Sequence, residues 1–145
     1  MKIIKATLKN LEDLVPLFNA YRVFYKQVSD PEKATAFLKE RFIHKDSIIF
    51  IAFENEKAMG FTQLYPSFSS VSMQRVYILN DLFVLPEARG KGIGEALLLE
   101  AKKFAISQKA KGLTLETDID NPAQKLYERL DWVKDTEVFH YTWRA

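Results

Sequence analysis

The stretch LFVLPEARGKGIG at residues 82–94 joins an apolar strand pattern to a strong helical pattern. Gly90, Gly92 and Gly94 allow positive φ and leave no Cβ to keep a ligand away from the backbone. The N–H groups in the first turn of the following helix have no partner within that helix, and they lie at the positive end of its dipole. With Arg89 and Lys91 adding charge, this loop is predicted to bind an anion such as a diphosphate.

Two other interpretations of the loop stay open, and a third fails. The glycines could simply begin a helix. They also approach the dinucleotide-binding pattern G-x-G-x-x-G, with Glu116 near the offset of its acidic residue, although Glu95 stands where the third glycine belongs. A Walker loop is excluded, because no Gly-Lys-Ser/Thr follows four spacer residues.

Strand and helix patterns alternate on both sides of this loop. Residues 75–84 are apolar at both parities, which predicts a strand buried on both faces, and residues 93–108 have apolar side chains at helical spacing. Asn10 and Asn121 are each predicted to cap a helix. The other predicted elements are a strand at 2–8, helices from Asn10 and Asp30, a hairpin of strands at 47–53 and 58–65, a strand at 112–116, a helix at 122–130 and one or two strands at 132–143.

Composition narrows the class of protein. The chain has 145 residues, the size of one domain, here residues 1–145. Its net charge of +2 is too small to indicate a nucleic-acid surface, and no apolar run is long enough for a membrane span or a signal peptide. There is no cysteine, and His44 and His140 are the only imidazoles, so we expect no disulfide, thiol nucleophile or metal site. These features predict a cytoplasmic protein.

Two motifs resemble a known family. RGKGIG at residues 89–94 is similar to R/Q-x-x-G-x-G/A, the cofactor signature of the GNAT acetyltransferase superfamily, and DLFVLPEAR at 81–89 resembles that family's fourth strand and its exit. NPAQKLYERLDW at 121–132 is similar to the family's second hallmark, a helix that begins at Asn and carries Leu-Tyr-Glu. The resemblance implies one α/β (α+β) domain, with a mixed, mostly antiparallel sheet, a splayed parallel pair and helices on both faces.

By this resemblance the protein would use acetyl-CoA as its cosubstrate. The backbone of Leu82, Phe83 and Val84 would pair with the pantetheine arm as if the arm were a strand, and Asn121 would contact the arm from the other side. The common spacing in the family would put Asp120 where Asn121 is expected. The pyrophosphate would be held by the backbone N–H groups of Arg89, Gly90, Lys91, Gly92, Ile93, Gly94 and Glu95.

The resemblance also implies an activity, transfer of an acetyl group to the primary amine of a small molecule or amino acid. Tyr127 would protonate the leaving thiolate, and an N–H near Val84 would hold the oxyanion. Asn80 stands where polyamine-acetylating members have an acid, and Asp81 would face the opposite side of the strand unless a bulge turns it. Other bases considered are Glu116 and Asp118. The alternatives are a module that binds acyl-CoA without catalysis and a lysine acetyltransferase acting on proteins.

Aromatic residues suggest an acceptor pocket and a partner. Tyr21, Phe24 and Tyr25 cluster in the first helix, and Tyr65 and Phe68 stand near the end of the third strand, so aromatic walls are expected around a small amine. At the C-terminus Phe139, Tyr141 and Trp143 share one face of the predicted last strand. Because an exposed apolar edge strand pairs readily with another chain, the sequence predicts a homodimer.

Overall fold

The computed structural model describes all 145 residues, and it contains one five-stranded sheet with four helices. Strands follow one another across the sheet in chain order; the first four are antiparallel, and the last is parallel to its neighbour. This arrangement confirms the predicted fold class. The elements are β1 (Lys2–Lys5), α1 (Leu11–Phe24), α2 (Pro31–His44), β2 (Ile48–Glu54), β3 (Lys57–Ser69), β4 (Gln74–Val84), α3 (Ile93–Ser107), β5 (Gly112–Thr114) and α4 (Gln124–Arg129).

Apolar layers cover both faces of the sheet. One layer packs the sheet against α3 and includes Leu97 and Ala101. The other packs it against α1 and α2 and includes Leu14 and Leu38. The helical spacing of these residues explains why each helix lies flat on the sheet. No helix has both the length and the apolar character needed to cross a membrane.

The helix starts follow local chemistry, with two corrections. Asp30 caps α2 by accepting a hydrogen bond from the Lys33 N–H at 3.0 Å, as expected for this residue type. The side chain of Asn10 does not cap α1, because it accepts a hydrogen bond from the Thr7 N–H at 3.0 Å. Asn121 does not cap α4 either. Its Oδ1 accepts from the Ala123 N–H at 2.9 Å in a local turn, so α4 begins only at Gln124.

A β-bulge interrupts the pairing of β4 with β3. Asp81 lies opposite Gln63, and Leu79 lies opposite Leu64, so that Asn80 is an extra residue with no partner in β3. In such a bulge two residues of one strand face a single residue of the other. The Asn80 Nδ2 donates a hydrogen bond to Asp81 Oδ1 at 2.8 Å. The bulge that was named as the condition for Asp81 to turn is therefore present.

The bulge also changes which residues of β4 point to which layer. Before it, Tyr77 and Leu79 pack in the layer under α3. After it, Phe83 packs in the layer under α1 and α2, although regular alternation would place it on the same side as Tyr77 and Leu79. Asp81 consequently turns towards α1 with Phe83. The strand is not buried on both faces throughout, because Asn80 is exposed.

The strands predicted at 132–143 are absent. Residues 133–145 form no regular secondary structure, and none of them takes part in a backbone–backbone hydrogen bond. A strand needs a neighbouring strand to accept and donate its hydrogen bonds, and no such neighbour reaches this segment within the single chain. Phe139, Tyr141 and Trp143 are thus left 88%, 93% and 86% exposed.

Candidate active site

The glycine loop presents a run of unpaired backbone N–H groups. Gly90 and Gly92 have φ values of 78° and 80°, in the left-handed region that glycine adopts without strain. None of the six N–H groups of residues 90–95 donates a hydrogen bond within the chain. The Arg89 N–H does donate, to the Pro86 carbonyl at 3.3 Å, so it does not belong to the free set that the sequence predicted.

The space around this loop is open where an anion would bind. A Cβ built on Gly90 or Gly92 would meet no atom within 4 Å. Gly94 differs, since a Cβ there would lie 3.6 Å from Leu126 Cδ2 of α4. A Cβ at position 94 would thus only make ordinary van der Waals contact with the neighbouring helix, whereas Gly90 and Gly92 shape the cradle through their positive φ.

Next to the cradle, β4 has a free edge. β5 pairs only with Val76, Tyr77 and Ile78 of β4, and residues 79–84 of that strand have no partner on this side. The two parallel strands thus separate as the resemblance implied. Leu82, Phe83 and Val84 pair with β3 alone.

The Arg89 side chain lies along this edge. Its Nε donates a hydrogen bond to the Val84 carbonyl at 3.0 Å. Its guanidinium carbon is 5.5 Å from the ring centre of Phe24 and 5.8 Å from that of Phe83, distances at which a cation is attracted to an aromatic face. Arg89 accordingly contributes its charge beside the strand, and Lys91, which is exposed, contributes its charge at the loop.

Asp81 is the most buried carboxylate near this edge, with only 2% of its surface exposed. It accepts hydrogen bonds from Gln63 Nε2 and from Asn80 Nδ2. Gln63 is itself fully buried, and its Oε1 has no partner. Nothing in the sequence identified Gln63 except that a polar residue interrupts an apolar strand.

Burial raises the pKa of Asp81 above its ordinary value, because the surrounding protein solvates the carboxylate less well than water does. Hydrogen bonds from Gln63 and Asn80, and the nearby Tyr21 hydroxyl, oppose this rise. Burial and the charge of Asp81 also raise the pKa of Tyr65 to about 12 and push that of Tyr21 well above its usual range. These phenols thus stay protonated and able to donate hydrogen bonds at neutral pH.

The aromatic residues of α1 face this carboxylate. The Tyr21 hydroxyl donates to the Asn80 carbonyl at 3.3 Å, and its ring packs on Phe61 and Phe83 with centres 5.8 and 6.2 Å apart. The Tyr25 ring packs edge-on against Tyr21 at 5.0 Å. Phe24 is 56% exposed and packs with Phe83, whereas Phe68 is 71% exposed and far along β3. Tyr21, Tyr25 and Tyr65 therefore surround the bulge, and Phe68 does not contribute.

Tyr127 lies on α4, on the other side of the opening between β4 and β5. Its ring is 6.0 Å from that of Trp132, and burial, together with the nearby Tyr25, raises its pKa. Asp131, which ends the helix, has φ 65°, so it takes the left-handed conformation expected of the family's usual glycine. Glu116 and Asp118 are exposed, and Glu116 lies 3.2 Å from His140 Nδ1. No group of three or more His, Asp or Glu side chains is placed to hold a metal ion.

Comparison with known proteins agrees with the resemblance found in the sequence motifs. The family model for the GNAT acetyltransferase family matches residues 11–132. The protein belongs to the GNAT family. A relative, the uncharacterised N-acetyltransferase YhfO of Bacillus subtilis, is 52% identical over 142 residues, covering 97% of this chain and 95% of its own.

Two further comparisons extend this result. The D-amino-acid N-acetyltransferase HPA3 of Saccharomyces cerevisiae is 30% identical over 128 residues, covering 85% of this chain and 79% of its own. A crystal structure of a probable acetyltransferase superposes with a TM-score of 0.94 at 43% identity, covering 100% of this chain and 98% of the other. The GNAT fold inferred from residues 81–94 and 121–132 is confirmed over the whole chain.

Proposed function

We propose that this GNAT protein transfers an acetyl group from acetyl-CoA to the primary amine of a small molecule or amino acid. The observation that carries the proposal is the run of six unpaired N–H groups at residues 90–95, beside a strand edge that has no partner. A strand edge and a helix start of this kind match the two ends of coenzyme A, an amide-bearing arm and a diphosphate.

In this proposal the loop holds the diphosphate through the N–H groups of Gly90 to Glu95, supported by Lys91 and the dipole of α3. The arm lies along Leu82, Phe83 and Val84 and adds hydrogen bonds as an extra strand would. Since Arg89 Nε donates to the Val84 carbonyl in the chain alone, the arm replaces that contact as it enters. Asn121, whose side chain is fixed by the hydrogen bond from the Ala123 N–H, lies across from the arm and contacts it there.

The chemistry requires a neutral amine. An alkylamine with a pKa near 10.4 is free base in only about four molecules in ten thousand at pH 7. The amine nitrogen attacks the thioester carbonyl carbon, the carbon–sulfur bond breaks, and the acetamide and coenzyme A thiol leave. An N–H near Val84 stabilises the oxyanion, and Tyr127, protonated at neutral pH, gives its proton to the departing thiolate.

Asp81 is the base in this proposal, and Asn80 positions the amine. The bulge puts both side chains on one face, and the raised pKa of Asp81 suits proton abstraction better than that of an ordinary aspartate does. Asn80 cannot take a proton, but its Nδ2 is held by Asp81, which leaves its Oδ1 free to accept a hydrogen bond from the amine. The proton lost by the amine passes to Asp81.

The surroundings favour a small cationic acceptor. The rings of Tyr21, Tyr25 and Tyr65 next to the Asp81 carboxylate attract a protonated amine as it arrives. The similarity to a D-amino-acid N-acetyltransferase supports an amino acid or a compound of that size. We further propose that the protein works in the cytoplasm, in keeping with its lack of cysteine, and that it is a homodimer.

Replacing Tyr127 by phenylalanine should lower the rate of coenzyme A release by about 100-fold or more, the usual range for a lost general acid. Coenzyme A affinity and melting temperature should change little, since the ring still packs on Trp132. Stopped-time assays with a thiol reagent would measure the rate. Tyr141→Phe, which removes an exposed hydroxyl, is the matched control, and an equal rate in both variants would contradict the role of Tyr127.

The activity itself is tested by a thermal-shift screen of coenzyme A thioesters, followed by a panel of amines with thiol detection. We expect acetyl-CoA to stabilise the protein and at least one small amine to release coenzyme A. Tight binding without turnover of any amine would identify a binding module instead. Stabilisation by a nicotinamide dinucleotide and not by coenzyme A would overturn the proposal.

A further inference from the structure

Gln63 is a polar side chain within the apolar layer under α1 and α2. It is fully buried in β3, and two of its neighbours are buried apolar residues of that layer, Phe61 on the same strand and Ile49 opposite it on β2. The amide oxygen Oε1 of Gln63 has no hydrogen-bond partner. Because a buried polar atom without a partner destabilises a fold, packing alone does not explain a glutamine at this position.

The amide nitrogen of Gln63 is bonded to the carboxylate of Asp81. The two residues lie directly opposite each other in the ladder between β3 and β4, and Gln63 Nε2 donates to Asp81 Oδ2 at 2.5 Å. The preceding residue, Thr62, donates from its Oγ1 to the backbone carbonyl of Asp81 at 2.8 Å. Two consecutive residues of β3 therefore hold Asp81, one through its backbone and the other through its side chain.

The Asp81 carboxylate depends on neutral donors of this kind. No lysine, arginine or histidine forms an ion pair with it, and a buried charge without partners is strongly unfavourable. Its other amide donor, Asn80, is exposed, so water can replace that hydrogen bond. Gln63 has no exposed surface, so the loss of its amide would leave a carboxylate oxygen without a partner.

The ionisable groups around Asp81 do not take over this task. Burial raises the pKa of Asp81, and among the groups that lower it the Gln63 amide contributes most. The pKa values of the surrounding phenols are themselves raised, so the phenols are neutral where Asp81 ionises. The groups concerned are Tyr21 and Tyr25 of α1 and Tyr65 of β3, with Asp118 near Tyr25, and with Arg41 and Asp46, which pair with each other at 3.1 Å, near Tyr65.

We propose that Gln63 is a positioning residue for the acetyl transfer: its buried amide holds the Asp81 carboxylate towards α1, where the acceptor amine binds, and favours the ionised form of that carboxylate. This inference rests on the proposed function, in which Asp81 is the base. Gln63 is fully buried and touches neither substrate, so it acts only through Asp81. The same dependence explains why the chain keeps a buried amide whose oxygen is unpaired.

Gln63→Met removes the amide and keeps an unbranched side chain of similar length. We expect kcat/KM for the amine at pH 7 to fall by about 10- to 100-fold, the size of one hydrogen bond to a charged group. The rise of the rate with pH should move to higher pH by about one pH unit or more, because the ionised carboxylate loses a donor. Coenzyme A affinity should not change.

Gln74→Met is the matched control, since it makes the same substitution at an exposed position at the start of β4. It should keep both the rate and the pH profile of the unmodified protein. Thr62→Val removes the hydrogen bond to the Asp81 backbone without touching the carboxylate, so it should lower the melting temperature and leave the pH profile in place. Equal pH profiles for Gln63→Met and the unmodified protein would contradict the inference.

A double variant tells whether Gln63 acts through Asp81. Once Asp81→Asn has removed the base, adding Gln63→Met should change kcat/KM by less than about 3-fold, since residues that act as one unit are not additive. If the two single effects multiplied in full, Gln63 would be acting on the reaction by some other route, and the positioning role would be overturned.

Nuclear magnetic resonance tests the contact without turnover and without a variant that must fold. In the unmodified protein the side-chain amide signals of Gln63 should shift with pH together with the carboxyl signal of Asp81. In Gln63→Met that carboxyl signal should titrate at higher pH. An amide that does not respond to the titration of Asp81 would overturn the inference even in an active enzyme. If no amine is acetylated, the proposed function fails, and this titration still decides whether Gln63 controls the ionisation of Asp81.

Discussion

Gly92→Asp is expected to weaken coenzyme A binding by about 100-fold or more without unfolding the protein. Gly92 lies between free N–H groups at the start of α3, so a carboxylate there would compete with the diphosphate and repel it. Two unit charges 4 Å apart interact by about 4 kcal/mol near a protein surface, which is enough for an effect of this size. The backbone tolerates the change, because aspartate adopts positive φ more readily than most residues, and a Cβ at this position meets no neighbouring atom within 4 Å.

Gly92→Asn is the matched control for that prediction. Asparagine has nearly the same shape and the same tolerance of positive φ but no charge. Isothermal titration with coenzyme A should give an affinity for Gly92→Asn within several-fold of the unmodified protein. Equal affinities for the aspartate and asparagine variants would show that no diphosphate lies at these N–H groups, and the proposed activity would lose its main support.

Asp81→Asn is expected to lower kcat/KM for the amine by about 100- to 10,000-fold, the range for loss of a general base. Coenzyme A affinity should remain unchanged, because Asp81 faces α1 and lies away from the glycine loop. The asparagine keeps an oxygen that can accept the hydrogen bond from Gln63 Nε2, so the fold should survive. Steady-state kinetics together with a melting curve would separate lost catalysis from lost structure.

The pH dependence gives this variant a second readout. The base acts only when ionised, and burial raises the pKa of Asp81, so the rate should rise with pH through a value above that of an ordinary aspartate. In Asp81→Asn this rise of the rate with pH, the acid limb of the pH profile, should disappear. Asp118→Asn, which removes an exposed carboxylate nearby, should keep both the rate and the limb. An acid limb that persists in Asp81→Asn and is lost in Asp118→Asn would assign the base to Asp118.

The sequence predicted best the features that depend on local chemistry. The glycines at 90 and 92, the helix that follows them and the start of α2 at Asp30 all rest on backbone preferences of a few neighbouring residues. The alternation at 138–143 predicted a strand equally well, yet the single chain has none there. A strand is completed by hydrogen bonds to a neighbour, and local sequence does not say whether that neighbour lies in the same chain.

The candidate site was harder to predict where it depends on register. Nothing in the sequence of residues 75–84 shows that Asn80 has no partner in β3. The direction of the Asp81 side chain could therefore be predicted only conditionally, as depending on whether a bulge is present. The contact of Gln63 with Asp81 follows from the same pairing, because the two residues lie directly opposite each other on the neighbouring strands β3 and β4. Asn121 and Asn10 show a smaller failure of the same kind, since each has several nearby N–H groups to accept from and the sequence does not choose among them.

The unpaired residue in β4 makes the strand sensitive to length as well as to composition. Deleting Asn80 would make the pairs Leu79–Leu64 and Asp81–Gln63 consecutive, so the strand would alternate regularly and every remaining residue would keep its side of the sheet. Asp81 would stay beneath the tyrosines but would lose the hydrogen bond from Asn80 Nδ2. A single-codon loss would thus preserve the architecture and remove the residue proposed to position the amine. Related chains that are one residue shorter in this strand should be aligned with the gap at Asn80, because only that placement keeps the side-chain directions.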